Sequence, residues 1–376
     1  MRLRVFEAPL IKDIINWIES WQQTFHEGDK IMSSWANNSI ITKAKSIFGN
    51  FIKPAEYEKM AKFKSLSDLV SYLKKHENYR DILKDVQENS IHRGNLEALI
   101  KKNAFDQIIR LIKQVFTKDL EFYQLNIVHQ ENEIILASIR TMISDDYDEN
   151  RGKVPFFFNA HTTIEMSQIF KATNYQELLQ ALEKTAYYNI LKPFETRKTD
   201  NIRYLDIEHA LEEYYYDEAF RRINKYYKGS LLRDLESIFQ TRIELGNIIK
   251  IYRLKKFYQA DPITIKSVLV NRHMRIREKK IDEIIQMKNP DFILKYLSTS
   301  EFSRFTSDKD YIYVEYYAGR IRYDLAKKFM YFSTSVPKVY LAFVTLSDFE
   351  IENLTNIIEG IRYQIDEQEI KQILIY

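Results

Sequence analysis

Three segments of this chain, spaced about 110 residues apart, follow one plan, and the plan is helical. The first runs Ser65-Leu66-Ser67-Asp68-Leu69, then Leu73 and Tyr79. The second runs Asn174-Tyr175-Gln176-Glu177-Leu178, then Leu182 and Tyr187. The third, more degenerate, runs Asn289-Pro290-Asp291-Phe292-Ile293, then Leu297 and Phe302. Each opens on a side chain that accepts a bond from an unpaired first-turn N–H, and an acid in that turn helps complete the cap. Pro290 stands at the first helical position, where a missing N–H costs nothing. Aliphatic side chains four residues apart then share a helix face, and an aromatic follows.

A second element closes each unit in the same order: Gln130-Glu131-Asn132-Glu133-Ile134, Glu244-Leu245-Gly246-Asn247-Ile248 and Glu350-Ile351-Glu352-Asn353-Leu354. Apolar residues surround each at spacings of three, four and seven, the signature of an amphipathic helix. Counting from Glu133 to Asn247 to Asn353 gives 114 and 106 residues; the opening elements, at Leu69, Leu178 and Ile293, lie 109 and 115 apart. Solenoid repeats run to roughly 50 residues, whereas a period near 110 makes a small domain. The expectation is an all-α chain of three similar helical bundles, over 32–144, 145–258 and 259–376. An amphipathic extension over 1–31 precedes them, with Leu10, Ile14, Trp17 and Trp21 on one stripe, and Met32 is the alternative start. Connectors are expected at Asp145–Pro155 and Gln259–Pro262. Ser347-Asp348-Phe349-Glu350 reads as a capping box opening the last helix, and Thr162 with Glu165 as another.

Composition agrees. Glycine (8) and proline (7) make up about 4% of the chain, against a usual total of roughly 12%, and sheet-based folds need more of both at their turns. Tyrosine (26) and phenylalanine (23) suit wide helix–helix contacts with hydroxyls at their edges. Without cysteine there is no disulfide, thiol nucleophile or cysteine-ligated metal, which points to a reducing compartment. A net charge of +3 on 109 charged residues makes no case for nucleic acid or anionic lipid. The longest apolar runs, such as Val339 to Val344, fall far short of the roughly 18 residues a membrane span needs. Arg2 and Arg4 precede no continuous apolar core of a signal peptide. A cytoplasmic protein is expected.

Most familiar chemistry is excluded. The closest glycines, Gly229 and Gly246, are 17 apart, so neither phosphate-cradling loop nor dinucleotide fingerprint can be written, and no direct nucleotide binding is expected. Asp146, Asp148 and Asn150 alternate like calcium ligands, but Gly152 falls one place late and Phe157 stands where a bidentate glutamate belongs. The seven histidines show no ligand spacing. No catalytic, cofactor or metal residue is assigned. The densest cationic stretches are Arg272-His273-Met274-Arg275-Ile276-Arg277-Glu278-Lys279-Lys280 and Lys250 to Lys256. They read as a solvated face or as a docking surface for an acidic partner.

The closing elements carry a resemblance. Glu350-Ile351-Glu352-Asn353-Leu354, with Ile357, Gly360 and the preceding Pro337-Lys338-Val339-Tyr340-Leu341-Ala342-Phe343, resembles the C-terminal signature of the V-type ATPase C-subunit family, counterpart of the eukaryotic d subunit. Glu244-Leu245-Gly246-Asn247-Ile248, continuing to Tyr252-Arg253-Leu254-Lys255-Lys256, is similar to that family's middle repeat. The resemblance spans about 33–365 and implies a funnel of three bundles in pseudo-threefold arrangement around a central cavity. It implies a non-catalytic, cofactor-free socket on the cytoplasmic face, peripheral to the membrane, joining the central stalk to the membrane rotor ring of an ion-transporting ATPase. Asn247, Arg253, Lys255, Lys256, Arg272 and Arg275 are the expected partner-facing residues. The alternatives are a helical-repeat adaptor unrelated to ATPases, a nucleic-acid binder through the 272–280 run and, most remote, an enzyme with an unrecognised carboxylate site.

Overall fold

The computed structural model of the chain describes residues 38–115, 118–144, 161–196, 202–293 and 314–376. The 1–31 extension, the Asp145–Pro155 connector with its alternating acids, and Leu297 and Phe302 lie outside the described residues. Among the described residues there are helices and turns and no strand, as an all-α chain requires.

Three helix pairs form the frame. Arg93–Ile112 returns as Leu120–Tyr123 and Leu125–Ile143, Tyr204–Tyr226 returns as Gly229–Tyr258, and Val314–Phe332 returns as Val336–Arg362. The returning helices carry the closing motifs. The two longer ones, of 30 and 27 residues, extend about 45 and 40 Å at 1.5 Å per residue. At the second turn Gly229 has φ of 66°, a left-handed conformation open to glycine, and the chain reverses there within two residues.

Two predicted caps are corrected. The last returning helix begins at Val336, with Pro337 in its first turn, so Ser347 lies mid-helix. Its hydroxyl donates to the Phe343 carbonyl at 2.9 Å, the bond serine makes inside a helix. The Thr162–Glu165 box does not form either. The helix there is Met166–Ile169, Thr162 donates to the Ile164 carbonyl, and Glu165 accepts from Gln168. The opening motifs, by contrast, do cap. Ser65 accepts from the Asp68 N–H at 3.1 Å, Asn174 from Glu177 at 3.0 Å and Asn289 from Asp291 at 2.9 Å. Leu69, Leu73, Leu178, Leu182 and Ile293 behind those caps are fully buried.

The core explains how the pairs are held. Near their turns all three share one apolar cluster: Ile108, Leu111 and Leu125 from the first pair, Phe220 and Phe239 from the second, Met330, Val339 and Phe343 from the third. Farther along, the closing helices part. Leu245, Ile248 and Ile251 pack with Ile265, Ile284, Ile293 and Ile321. Leu354, Ile357 and Ile358 pack with Tyr57, Leu69, Leu73, Tyr79 and Leu96, from the other end of the chain. Each opening segment therefore lies on the closing helix that precedes it, and the first lies on the last. These contacts run across chain positions 144/145 and 258/259 rather than stopping there.

Close approach fixes the C-terminal tail. A Cβ on Gly360 would stand 2.6 and 2.8 Å from Ile370 Cδ1 and Cγ1, on the helix Glu367–Ile373. Gly360→Ala should push that helix off and cost about 1–3 kcal/mol, read as a lower urea midpoint at unchanged m. Gly246 meets nothing within 4 Å, so Gly246→Ala is the control and should stabilise by up to about 1 kcal/mol.

Candidate functional site

Each closing helix buries one glutamate: Glu131, Glu244 and Glu350. A buried carboxylate must be bonded, and each of these takes backbone N–H groups just ahead of the next short helix. Glu131 accepts from the Thr163 N–H (2.5 Å) and hydroxyl (3.0 Å) and from the Tyr187 hydroxyl (2.8 Å). Glu350 accepts from the Ile52 N–H (2.9 Å), the Asn78 amide (2.8 Å) and the Tyr79 hydroxyl (2.6 Å). Glu244 accepts from the N–H groups of Arg275 (2.7 Å) and Ile276 (3.1 Å). Tyr79 and Tyr187 are the aromatics that end the first two opening motifs. The third ends on Phe302, which has no hydroxyl, and the Arg275 guanidinium donates instead, through Nε (3.3 Å) and Nη2 (2.6 Å).

The matched positions sit one register away from the sequence count. With the glutamates aligned, Asn247 and Asn353 correspond to Ile134, not to the exposed Glu133. Asn247 donates to the Val270 carbonyl (2.8 Å) and accepts its N–H (3.0 Å); Asn353 does the same with Ile375, at 2.7 and 2.9 Å. Each amide pins a backbone segment that follows its own helix.

Nine residues beyond each glutamate, a polar side chain reaches the first turn of the next helix pair. Arg140 donates to the Tyr204 hydroxyl at 2.7 Å, and Arg253 pairs with Glu315 at 2.8 Å. Glu359 pairs with Arg93, tying the third pair back to the first. Two residues before each glutamate, about 200° around the helix, stand His129, Arg242 and Asp348. The first two act on the third: burial among the helices raises Asp348, while His129, Arg242 and Arg322 pull it down. Arg242 also donates to the Thr345 hydroxyl of the third closing helix. On the same face, Glu133 and Glu352 are exposed.

The expected partner-facing residues are engaged within the chain. Asn247 is buried and serves the fold, and Arg275, partly exposed, holds Glu244. Lys255 donates to the Ile285 carbonyl, Lys256 to the Tyr252 hydroxyl and Asp291, and Arg272 to Asp217. Arg253, Lys256 and Arg272 remain exposed as well as paired. Sequence reasoning passed over Glu131 and Glu350, although an acid on an otherwise apolar stripe was the available signal. Among the described residues no group of His, Cys, Asp and Glu is arranged to hold a metal, and no helix is long and apolar enough to cross a membrane.

Comparison with known proteins bears on this arrangement. The chain is similar to the C subunit of the A-type ATP synthase of Methanosphaera stadtmanae, 23% identical over 273 residues, which are 71% of this chain and 66% of the relative. It is 29% identical over 133 residues to the C subunit of the A-type ATP synthase of Methanosarcina mazei, covering 35% of this chain and 34% of that one. The matches thus span just under two thirds of one relative and about one third of the other. Residues 40–373, nearly all of the described structure, match the ATP synthase (C/AC39) subunit family. The chain belongs to that family, the V-type ATPase C-subunit family that its closing helices resemble.

Proposed function

We propose that this chain is a non-catalytic coupling subunit of a rotary A/V-type ATPase, a socket that joins the central stalk to the membrane rotor ring on the cytoplasmic side. The observation that carries the reading is cyclic closure. The contacts that tie the first closing helix to the second unit, and the second to the third, recur between the third and the first. A chain closed on itself in this way supports three units, over 32–144, 145–258 and 259–376, set around an axis near His129, Arg242 and Asp348. Helix pairs that share a core at their turns and part beyond it favour a recess that opens away from the turns, a shape fit to take a shaft. Packed helices transmit torque because close-packed interiors deform little. The relatives, both named as C subunits of A-type ATP synthases, supply the complex.

The test is recovery from membranes. Tagged at its N-terminus and purified from gently solubilised membranes, the chain should bring down both ring and stalk subunits. Membranes lacking it should keep ATP hydrolysis by the detached head but lose ATP-driven ion transport. Recovery of unrelated soluble proteins without ring or stalk would instead favour the adaptor.

A further inference from the structure

The three glutamate junctions match in geometry but not in how they are held. Glu131 and Thr163 lie 32 residues apart, and Glu244 and Arg275 lie 31 apart, so covalent chain backs each junction. Glu350 and Ile52 are 298 residues apart, and the seam between them is held by side chains and packing alone. Glu244 has a guanidinium against it, whereas the three groups donating to Glu350 are neutral. The Glu350 junction also borders a partly open cavity of about 90 Å³, lined by Phe48, Tyr57, Tyr323, Phe349, Glu350 and Tyr376. The rings of Tyr57 and Tyr376, stacked at 5.3 Å, span the same seam.

We infer that the seam between the first opening segment and the last closing helix is the junction built to open, and that ionisation of Glu350 is what opens it. The groups facing Glu350 are few. Lys53, Tyr57 and Glu56 come from the start of the helix Pro54–Met60, with Glu56 set against His76 at 3.6 Å. Asn78 and Tyr79 end the first opening motif, Tyr323 and Lys327 come from Val314–Phe332, and Asn353 and Tyr376 complete the ring. The Lys53 ammonium is bonded to the Gly49 carbonyl, and that of Lys327 lies over the Tyr323 ring. Burial pushes Glu350 up to about 7, and its donors and Lys53 keep it from rising further.

The sign follows from linkage. A carboxylate raised in the closed seam and near 4.5 in an open one binds its proton more tightly when closed. Closure is therefore favoured at low pH, loses ground as pH rises through 4.5 to 7, and is weakest above 7. Between pH 5.5 and 8 the balance should move toward the open seam by roughly 30-fold. On the coupling reading, an opening seam lets the socket take up or release a shaft; the inference itself concerns the isolated chain and does not depend on that reading.

Hydrogen exchange on the full chain, expressed as protection factors from pH 5.5 to 8, is the test. Protection should fall with pH at 51–60 and 367–376 by roughly the factor above, while 163–169 and 275–286 keep theirs. Glu350→Gln should flatten the fall, and Glu131→Gln should leave it in place. A uniform change, no change at the seam, or a fall that persists in the Glu350 variant overturns the inference. The wild-type comparison alone decides it should a variant not fold.

Discussion

Arg275→Ala should destabilise the protein by about 3 kcal/mol, more than the loss of any other exposed charge described above. Most surface ion pairs are worth less than about 1 kcal/mol because water already solvates both partners. Here only the arginine touches water: Glu244 is fully buried, and its two oxygens face the guanidinium and two backbone N–H groups. Truncating Arg275 strands a buried carboxylate. The two N–H groups remain, which keeps the loss at the lower end of the range of about 3–5 kcal/mol for broken buried pairs. Arg275 also bonds Thr241 (3.0 Å) and Ser237 (3.2 Å), so lysine should not restore stability, having one nitrogen where three are in use. In urea unfolding, Arg275→Ala combined with Glu244→Gln should lose clearly less than the two single changes added together. Additivity within error would mean the carboxylate does not depend on its guanidinium.

That junction also marks how far local pattern carries. The opening helices were legible because a cap is a local event: Ser65 and Asn174 bond N–H groups three residues away, and the aliphatics behind them face inward as periodicity requires. Helix class followed from the same signals. What pattern did not carry is partnership. Tyr79 is visible as an aromatic at a set distance from its cap, yet the glutamate that needs it lies 271 residues away; Tyr187 meets Glu131 over 56. Counting similar letters aligned Glu133 with Asn247, because a one-residue slip on a helix changes nothing in composition and everything in facing. Ser347 misled for the opposite reason. Its box is well formed as text, but Pro337 had already started the helix ten residues earlier, and the serine hydroxyl found a carbonyl within it. The candidate site shows the same limit. Arg253 and Arg275 are visible in sequence as cations, but their acidic partners Glu315 and Glu244, 62 and 31 residues away, are not.

Phe343→Ala should cost about 3–5 kcal/mol and, unlike a loss in the outer cores, should loosen all three helix pairs together. Phe343 is fully buried where the pairs converge, its ring 5.7 Å from Phe51, in the same cluster as Leu111 of the first pair and Phe239 of the second. Nearby, Tyr340 donates to the Tyr123 carbonyl at 2.6 Å across to the first pair. A cavity there removes contacts shared by all three pairs at once, because the helices part beyond it into separate cores. Leu354→Ala is the contrast. Leu354 is equally buried, loses a smaller volume, and belongs to the cluster that joins the last closing helix to the first opening segment. Exchange under mildly destabilising urea should therefore separate the two. The Leu354 variant should lose protection at 52–83 and 354–374 first, and the Phe343 variant at 105–115, 235–243 and 336–346 at once. Identical exchange patterns for the two variants would mean that the shared core and the seam unfold as one, and that the turns are not what holds the three pairs in register.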